Sequence, residues 1–211
     1  MSTQIYANHR ENQKDLILEI AENLFIQHGI EQITIGKIAK EARLTRATIY
    51  NYFANKEEIA REIYANVTKG WRDRHEKEVW PFVGSGYERL EKFLISFFEY
   101  LFQNPREARF VAEINYLYAK KWSGESSIET MRVNLYEDYA FVKESIQNGL
   151  ADGSLRSGKD EALLIAAYFN FLTGTINRLG SMGDKVETEF GMSTQTIFLE
   201  ICRIFLYGLK A

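Results

Sequence analysis

Helical periodicity is the feature that most constrains this chain. Apolar residues recur every three to four positions through most of its 211 residues, which is the pattern of amphipathic helices. Only two prolines are present, and no pair of alternating apolar runs is joined by a hairpin signature. The sequence therefore predicts an all-α protein, and it contains neither an internal repeat nor a low-complexity tract.

The stretch Thr34–Lys56 predicts two short helices joined by a tight turn. A first helix from about Ile35 to Ala42 would place its apolar residues on one side, with Thr34 as its N-cap. Leu44 would fill the turn, and Thr45 is placed to cap a second helix. This arrangement is typical of a helix-turn-helix, whose second helix enters the major groove of DNA.

The second helix would turn one face to the protein and the other to DNA. Ile49 and Phe53 lie one turn apart and form its predicted inner face. Arg46, Ala47 and Thr48 then lie at the end that a recognition helix uses on base edges. Because Ala47 and Thr48 are small, the helix backbone can approach the floor of the groove closely.

Positive charge is concentrated in the same stretch. It contains five Lys or Arg residues and only one acidic residue, Glu41, whereas the whole chain has a net charge of −3. Such an asymmetry draws one face of a protein to phosphate. A solvated helical surface can carry the same charge by chance, but the caps, the turn residue and the charge together favour DNA binding.

These residues resemble a known family. The runs Ile35–Ala42 and Thr45–Glu58, TRATIYNYFANKEE, are similar to the N-terminal domain of the TetR family of bacterial transcription regulators. The resemblance spans roughly residues 10 to 60, and the remainder matches only in length and helical layout. It implies phosphate contacts by Tyr50, Tyr52 and Lys56. The predicted DNA-binding residues are Thr34, Thr45, Arg46, Ala47, Thr48, Tyr50, Tyr52 and Lys56.

Two residues depart from the pattern of that family. Gly36 stands where the family often has a bulkier or polar residue, and it lowers helix propensity. Arg46 stands where the pattern often shows a small or polar residue. We expect Arg46 to alter which base is read.

The predicted domains are residues 1–55, which bind DNA, and residues 56–211, a larger helical unit for effector binding and dimerisation. Asn55 and Glu58 have the order of a capping box. The helix that they open would run for about two dozen residues and end before Pro81. It would be long enough to connect the two domains.

The other helices follow from apolar spacing, caps and breakers. We expect residues 1–8 to be frayed, with the first helix starting near Glu11 and stopping at Gly29. Asn104, Pro105 and Glu107 predict the start of another helix. The remaining helices are expected over about 90–102, 127–151, 160–179 and 194–209.

The last two predicted helices carry a seam of small residues and a row of apolar ones. Simple core packing would explain both, but the family resemblance implies a four-helix bundle with a second copy of the chain. Most soluble oligomers are symmetric homo-oligomers, and a dimer would present two recognition helices to half-sites about 34 Å apart. The predicted dimer interface comprises Ala162, Ala166, Asn170, Gly174, Ile197, Ile201 and Phe205.

Other chemistry finds little support. The three histidines lie on separate predicted segments without ligand partners at metal spacing, and Cys202 lies among apolar residues, as a buried thiol does. No Gly-rich phosphate loop or singled-out carboxylate pair is present. We expect no metal, no cofactor and no enzymatic activity. A single cysteine, with no leader or membrane span in view, predicts a cytoplasmic protein.

A ligand cavity is implied only by the resemblance. The 14 Phe, 12 Tyr and 3 Trp are mostly explained as packed core, and the candidate polar ligand contacts could equally lie at the surface or the dimer seam. These candidates are Glu113, Asn115, Asn170 and Asn177. The resulting hypothesis is a homodimeric DNA-binding transcription regulator, a repressor released by a small-molecule effector. The alternative is a dimeric DNA-bound module that recruits another protein without small-molecule control.

Overall fold

A computed structural model describes residues 2–121, 136–158 and 160–211. Within these ranges the chain forms nine α-helices, and the only extended pairing there is an isolated bridge between Leu155 and Lys210. The prediction of an all-α fold is confirmed. The helices are α1 Ser2–His28, α2 Ile35–Glu41, α3 Arg46–Tyr50, α4 Lys56–Glu78, α5 Gly86–Gln103, α6 Pro105–Lys121, α7 Tyr136–Asp152, α8 Glu161–Phe190 and α9 Thr194–Leu209.

Local capping chemistry sets most helix starts. Asn55 caps α4 as predicted, but the Glu58 carboxylate accepts from the N–H of Ala54 and not from that of Asn55. Ser85 and Glu88 form a full capping box at α5 that periodicity alone did not reveal. The side chain of Asn104 donates to the carbonyl of Tyr100 in α5 at 2.8 Å instead of capping the N-terminus of α6.

Two helices are longer than predicted. Helix α1 begins at Ser2 and not near Glu11, because no proline or glycine interrupts the preceding residues. Helix α8 continues past Leu179 to Phe190. Gly180 does not end this helix. It is needed for packing instead, because a Cβ there would lie 2.3 Å from the carbonyl oxygen of Ala108 in α6. The glycine lets the two backbones approach closely. The start predicted for α7, near residue 127, lies outside the described residues.

The helices pack around a continuous apolar core. At the N-terminal end, α1, α2 and α3 bury residues such as Phe25, Ile38 and Ile49. In the larger C-terminal part the core is aromatic, with the Trp71 and Phe97 rings 5.1 Å apart in an edge contact. An N-terminal helix-turn-helix unit followed by a larger helical unit is the predicted architecture.

A buried polar pair lies inside the aromatic core. His75, near the charged end of α4, is 0% exposed, and its Nδ1 lies 3.1 Å from Oδ1 of Asp138 in α7. The Phe93 ring packs against the imidazole, with ring centroids 4.7 Å apart. The sequence alone gives no sign that Asp138 is the partner of this histidine. Across the described residues, no group of three or more His, Cys, Asp or Glu side chains is arranged to hold a metal ion.

Cys202 is buried in α9, and burial raises the pKa of its thiol to about 12. A thiol in such surroundings stays protonated at neutral pH and packs as an apolar group. None of the described helices combines the length and the apolar character that crossing a bilayer requires.

Candidate nucleic-acid interface

The turn between α2 and α3 is fixed by backbone hydrogen bonds and caps. Arg43 takes a left-handed conformation with φ of 55°, and the N–H of Leu44 donates to the carbonyl of Ala39 at 2.9 Å. These are the features of a Schellman motif, which ends α2 sharply. The threonine hydroxyls of Thr34 and Thr45 accept from backbone N–H groups of α2 and α3, so both predicted caps are confirmed.

Helix α3 presents its first turn to solvent. Ile49 is fully buried beneath it, whereas Arg46 and Ala47 are exposed and Thr48 is half-buried. The hydroxyls of Thr45 and Thr48 lie 2.8 Å apart and hydrogen-bond to each other. The exposed turn can enter a groove, as a recognition helix does.

Tyr50, Tyr52 and Lys56 differ in how the fold holds them. Tyr50 is 55% exposed at the end of α3. The hydroxyl of Tyr52 donates to Gln13 of α1 at 2.8 Å. Nζ of Lys56 donates to the carbonyl oxygens of Ile30 and Glu31, at 2.7 and 3.1 Å. Two of the three residues predicted to contact phosphate therefore also form hydrogen bonds to residues of the N-terminal unit, α1 to α3, which we call the reading unit.

Glu113, a predicted ligand contact in α6, lies at the junction with the reading unit. Its Oε2 lies beside Gly29. Burial raises the pKa of the Glu113 carboxyl, and the backbone of Ile30 opposes this shift. The turn at Gly29 and Ile30 is thus contacted by α4, through Lys56, and by α6, through Glu113.

A second junction joins α1, α4 and α6. It contains an open pocket of about 160 Å³ lined by Leu18, Glu22, Ile63, Asn66, Val67 and Glu107. Desolvation raises the pKa of both carboxyl groups there, and the charge of Glu22 raises that of Glu107 further. The interaction of Glu107 with the Tyr100 side chain opposes this shift. Partly buried carboxylates therefore lie between the reading unit and the larger unit.

The three asparagines proposed as ligand contacts lie in two places. Nδ2 of Asn115 in α6 donates to Oδ1 of Asn177 in α8 at 2.7 Å, and both side chains are half-buried. Asn170 is exposed, and its Nδ2 donates to the carbonyl of Ala166 within α8. Asn115 and Asn177 come together, whereas Asn170 lies on the outer face of α8.

The predicted dimer face is exposed and apolar. Ala162, Ala166, Gly174 and Ile201 are exposed, while Ile197 is half-buried. Phe205, also half-buried, stacks on Phe171 of α8 with ring centroids 4.0 Å apart. The face extends to neighbouring residues that the sequence analysis did not single out, namely Leu163, Ile204 and Tyr207, with exposures of 63%, 66% and 73%.

Comparison with known proteins agrees with this geometry. Residues 17–63 match the model of the family described as bacterial regulatory proteins, tetR family. YhgD of Bacillus subtilis (strain 168), an HTH-type transcriptional regulator, is 25% identical over 151 residues, which cover 69% of this chain and 73% of YhgD. The HTH-type transcriptional repressor KstR2 of Mycolicibacterium smegmatis is 24% identical over 153 residues, 72% of each chain.

Solved structures share the fold. FadR of Bacillus subtilis, in complex with stearoyl-CoA, aligns with a TM-score of 0.70 at 19% identity, over 92% of this chain and 98% of FadR. The MbdR regulator of Azoarcus sp. CIB aligns with a TM-score of 0.71 at 20% identity, over 94% and 100% of the two chains.

The fold and the exposed first turn of α3 define a helix-turn-helix DNA-binding transcription regulator. Through residues 17–63 the chain is similar to the tetR family of bacterial regulatory proteins, and over about 70% of its length it is similar to HTH-type transcriptional regulators.

Proposed function

We propose that the protein is a homodimeric repressor that leaves its DNA operator when a small molecule binds in the C-terminal helical unit. Residues 1–55 form the DNA-binding domain in this proposal, and residues 56–211 form the effector-binding and dimerisation domain. Two relatives support it. KstR2 is named as a transcriptional repressor, and FadR was solved with stearoyl-CoA.

The observation that carries the proposal is the double contact on the turn at Gly29 and Ile30. The carbonyl of Ile30 accepts from Lys56, the first residue of α4, and the carboxylate of Glu113 in α6 lies beside Gly29. Ile30 lies between α1 and α2, so two helices of the larger unit contact a turn inside the reading unit. An effector that shifts α4 or α6 would therefore move this turn and the recognition helix with it.

The proposed effector is rich in apolar carbon and carries a few hydrogen-bonding groups. In this proposal, aromatic residues of the core would supply apolar walls, and the Asn115–Asn177 pair would supply amide donors and acceptors. Two solved relatives point to ligands of this class. One is described as a ketosteroid transcriptional regulator, and the other, FadR, was solved in complex with stearoyl-CoA. Asn170 remains a proposed contact of the dimer face or of the ligand.

We propose that Glu113 couples effector binding to the affinity for the operator. A coupling of about 1–3 kcal/mol changes operator affinity by roughly 5–150-fold. Glu113→Ala removes the side chain that lies beside Gly29 and should reduce that ratio, while Glu113→Gln retains a side chain of the same size and should preserve more of it. The ratio of operator affinities with and without effector is the measurement. Equal ratios in wild type and Glu113→Ala would contradict the role of Glu113.

The function is tested by selecting sheared genomic DNA on the full-length protein and sequencing the retained fragments. Enriched fragments should share an inverted repeat, and retention should fall steeply with salt because phosphate contacts dominate the affinity. Acyl-CoA thioesters, fatty acids and steroids are then titrated into a gel shift. Retention of no particular sequence would overturn the function. Specific DNA binding that no compound in these classes releases would favour the protein-recruiting alternative.

Dimerisation has a separate test. Sedimentation at micromolar concentration should give twice the monomer mass for the wild type and the monomer mass for Ile201→Asp, which places a charge in the apolar face. Lys69→Asp, at an exposed position of α4, is the matched control. A monomeric wild type would remove the homodimer from the proposal.

A further inference from the structure

The two departures from the family pattern touch each other in space. The guanidinium of Arg46, at the start of α3, lies directly against Gly36 in α2. A Cβ built on Gly36 would lie 2.7 Å from Nη2, 2.9 Å from Nε and 3.0 Å from Cζ of Arg46. Real Cβ atoms essentially never approach other atoms to less than 3.0 Å. A side chain at position 36 would therefore displace the guanidinium, which can move because it is the far end of a flexible side chain.

In the described part of the chain, the three atoms nearest to a Cβ built on Gly36 all belong to Arg46. The backbone of Gly36 is helical and its φ is not among the positive values. A glycine inside a helix costs about 1 kcal/mol relative to alanine. Gly36 therefore destabilises a seven-residue helix, and helices this short are already of low stability. In return, the absence of a side chain leaves space beside α2.

The guanidinium is also available to an outside acceptor. Arg46 is exposed, and within the described part of the chain no hydrogen bond or ion pair occupies it. An arginine side chain of this kind binds O6 and N7 of guanine through two parallel hydrogen bonds. That contact depends on the direction from which the planar group approaches.

We propose that Gly36 is a positioning residue for sequence recognition: by leaving space beside α2 it lets the Arg46 guanidinium lie against α2, and so sets the side from which Arg46 approaches a guanine in each operator half-site. This inference rests on the proposed DNA-binding function and extends it to a specific base. Arg46 makes the contact, and Gly36 acts only through Arg46.

The test measures base preference in a double-mutant cycle. Wild type, Gly36→Ala, Arg46→Ala and the double variant each select from a randomised DNA pool, and the bound sequences are counted. Gly36→Ala should lose on the order of tenfold of the discrimination for the guanine, as Arg46→Ala does, because a bidentate contact to guanine supplies about that much. The double variant should lose no more than Arg46→Ala alone.

Folding is separated from recognition by the thermal midpoint. Alanine favours a helix over glycine, so Gly36→Ala should keep or raise the melting temperature while its base preference changes. Gly183→Ala is the matched control, since it lies in α8 with only the far end of Leu179 within 4 Å. It should leave the base preference unchanged.

Three outcomes would overturn the inference: Gly36→Ala retains the wild-type guanine preference, or the two single variants lose discrimination additively, or the preferred half-site contains no position sensitive to Arg46→Ala. Each of these leaves the proposed function intact provided that the wild type still selects a defined sequence. Failure of the wild type to select any sequence would instead refute the function itself.

Discussion

Nζ of Lys56 lies 2.7 Å from the carbonyl oxygen of Ile30. The first residue of the long helix α4 is therefore bonded to the turn that leads into the helix-turn-helix. In the same turn, Gly29 lies beside the carboxylate of Glu113 in α6. Two helices of the larger unit therefore contact the turn that leads into α2, and several consequences can be measured.

Substitution of Lys56 should affect both stability and DNA binding. Lys56→Met removes two hydrogen bonds to backbone carbonyls, and charged hydrogen bonds contribute about 1.5–3 kcal/mol each at most. We expect a lower free energy of unfolding in urea and weaker binding to all DNA sequences, with a smaller dependence on salt. Lys69→Met, at an exposed position of α4, is the control. A variant of Lys56 with unchanged DNA affinity would show that this residue does not contact phosphate.

Substitution of Tyr50 should affect DNA binding alone. Its side chain is 55% exposed, so removal of the hydroxyl should not change the melting temperature. The loss of one hydrogen bond to phosphate, about 0.5–1.5 kcal/mol, should weaken binding by roughly 2–10-fold for every sequence. A gel shift of Tyr50→Phe against specific and random DNA measures this. A change confined to the specific sequence would mean that Tyr50 reads a base.

The carboxyl of Glu107 should make stability depend on pH. Burial, together with the charge of Glu22, raises its pKa above the ordinary value of 4.5. A raised carboxyl pKa contributes stability that is fully present below pH 4.5 and is lost as the pH rises through the folded-state pKa. Glu107→Gln, which is neutral throughout, should therefore melt at a higher temperature than wild type at pH 7–8, and the difference should shrink toward pH 4. Glu200→Gln, at an exposed site, is the control. A difference that grows toward acid would contradict the assignment.

The buried pair of His75 and Asp138 should contribute strongly to stability. Asp138→Ala leaves the Nδ1 of a fully buried imidazole without its partner, which costs about 1–3 kcal/mol. Urea unfolding at neutral pH measures the change. Glu200→Ala, which breaks an exposed pair with Arg203, should cost less than about 1 kcal/mol. Equal losses in the two variants would show that the buried pair is replaced by water or by a shifted side chain.

Features determined by neighbouring residues could be predicted from the sequence. The caps Thr34, Thr45 and Asn55 were found because a cap needs only a side chain and the N–H three residues later. The apolar faces of α2 and α3 were found because helical spacing defines them. The bounds predicted for α9, about 194–209, agree with the structure because the helical spacing of its apolar residues defines them.

Features that join distant parts of the chain could not be predicted. His75 and Asp138 are separated by 63 positions, and no local pattern links them. The end predicted for α8, near residue 179, was too early, because the role of Gly180 in the close approach of Ala108 exists only after packing. Gly36 and Arg46 were recognised as departures one at a time, and only the folded chain shows that they are neighbours.

The exposed apolar face of α8 and α9 has a consequence for how much protein a cell must contain. If two copies pair through this face, the species that spans both half-sites forms in proportion to the square of the monomer concentration until pairing is complete. Below the dissociation constant of the pair, operator occupancy would then fall faster than the amount of protein, and the unfolding midpoint would shift with concentration. Expression level would act as a control on DNA binding, independent of any effector.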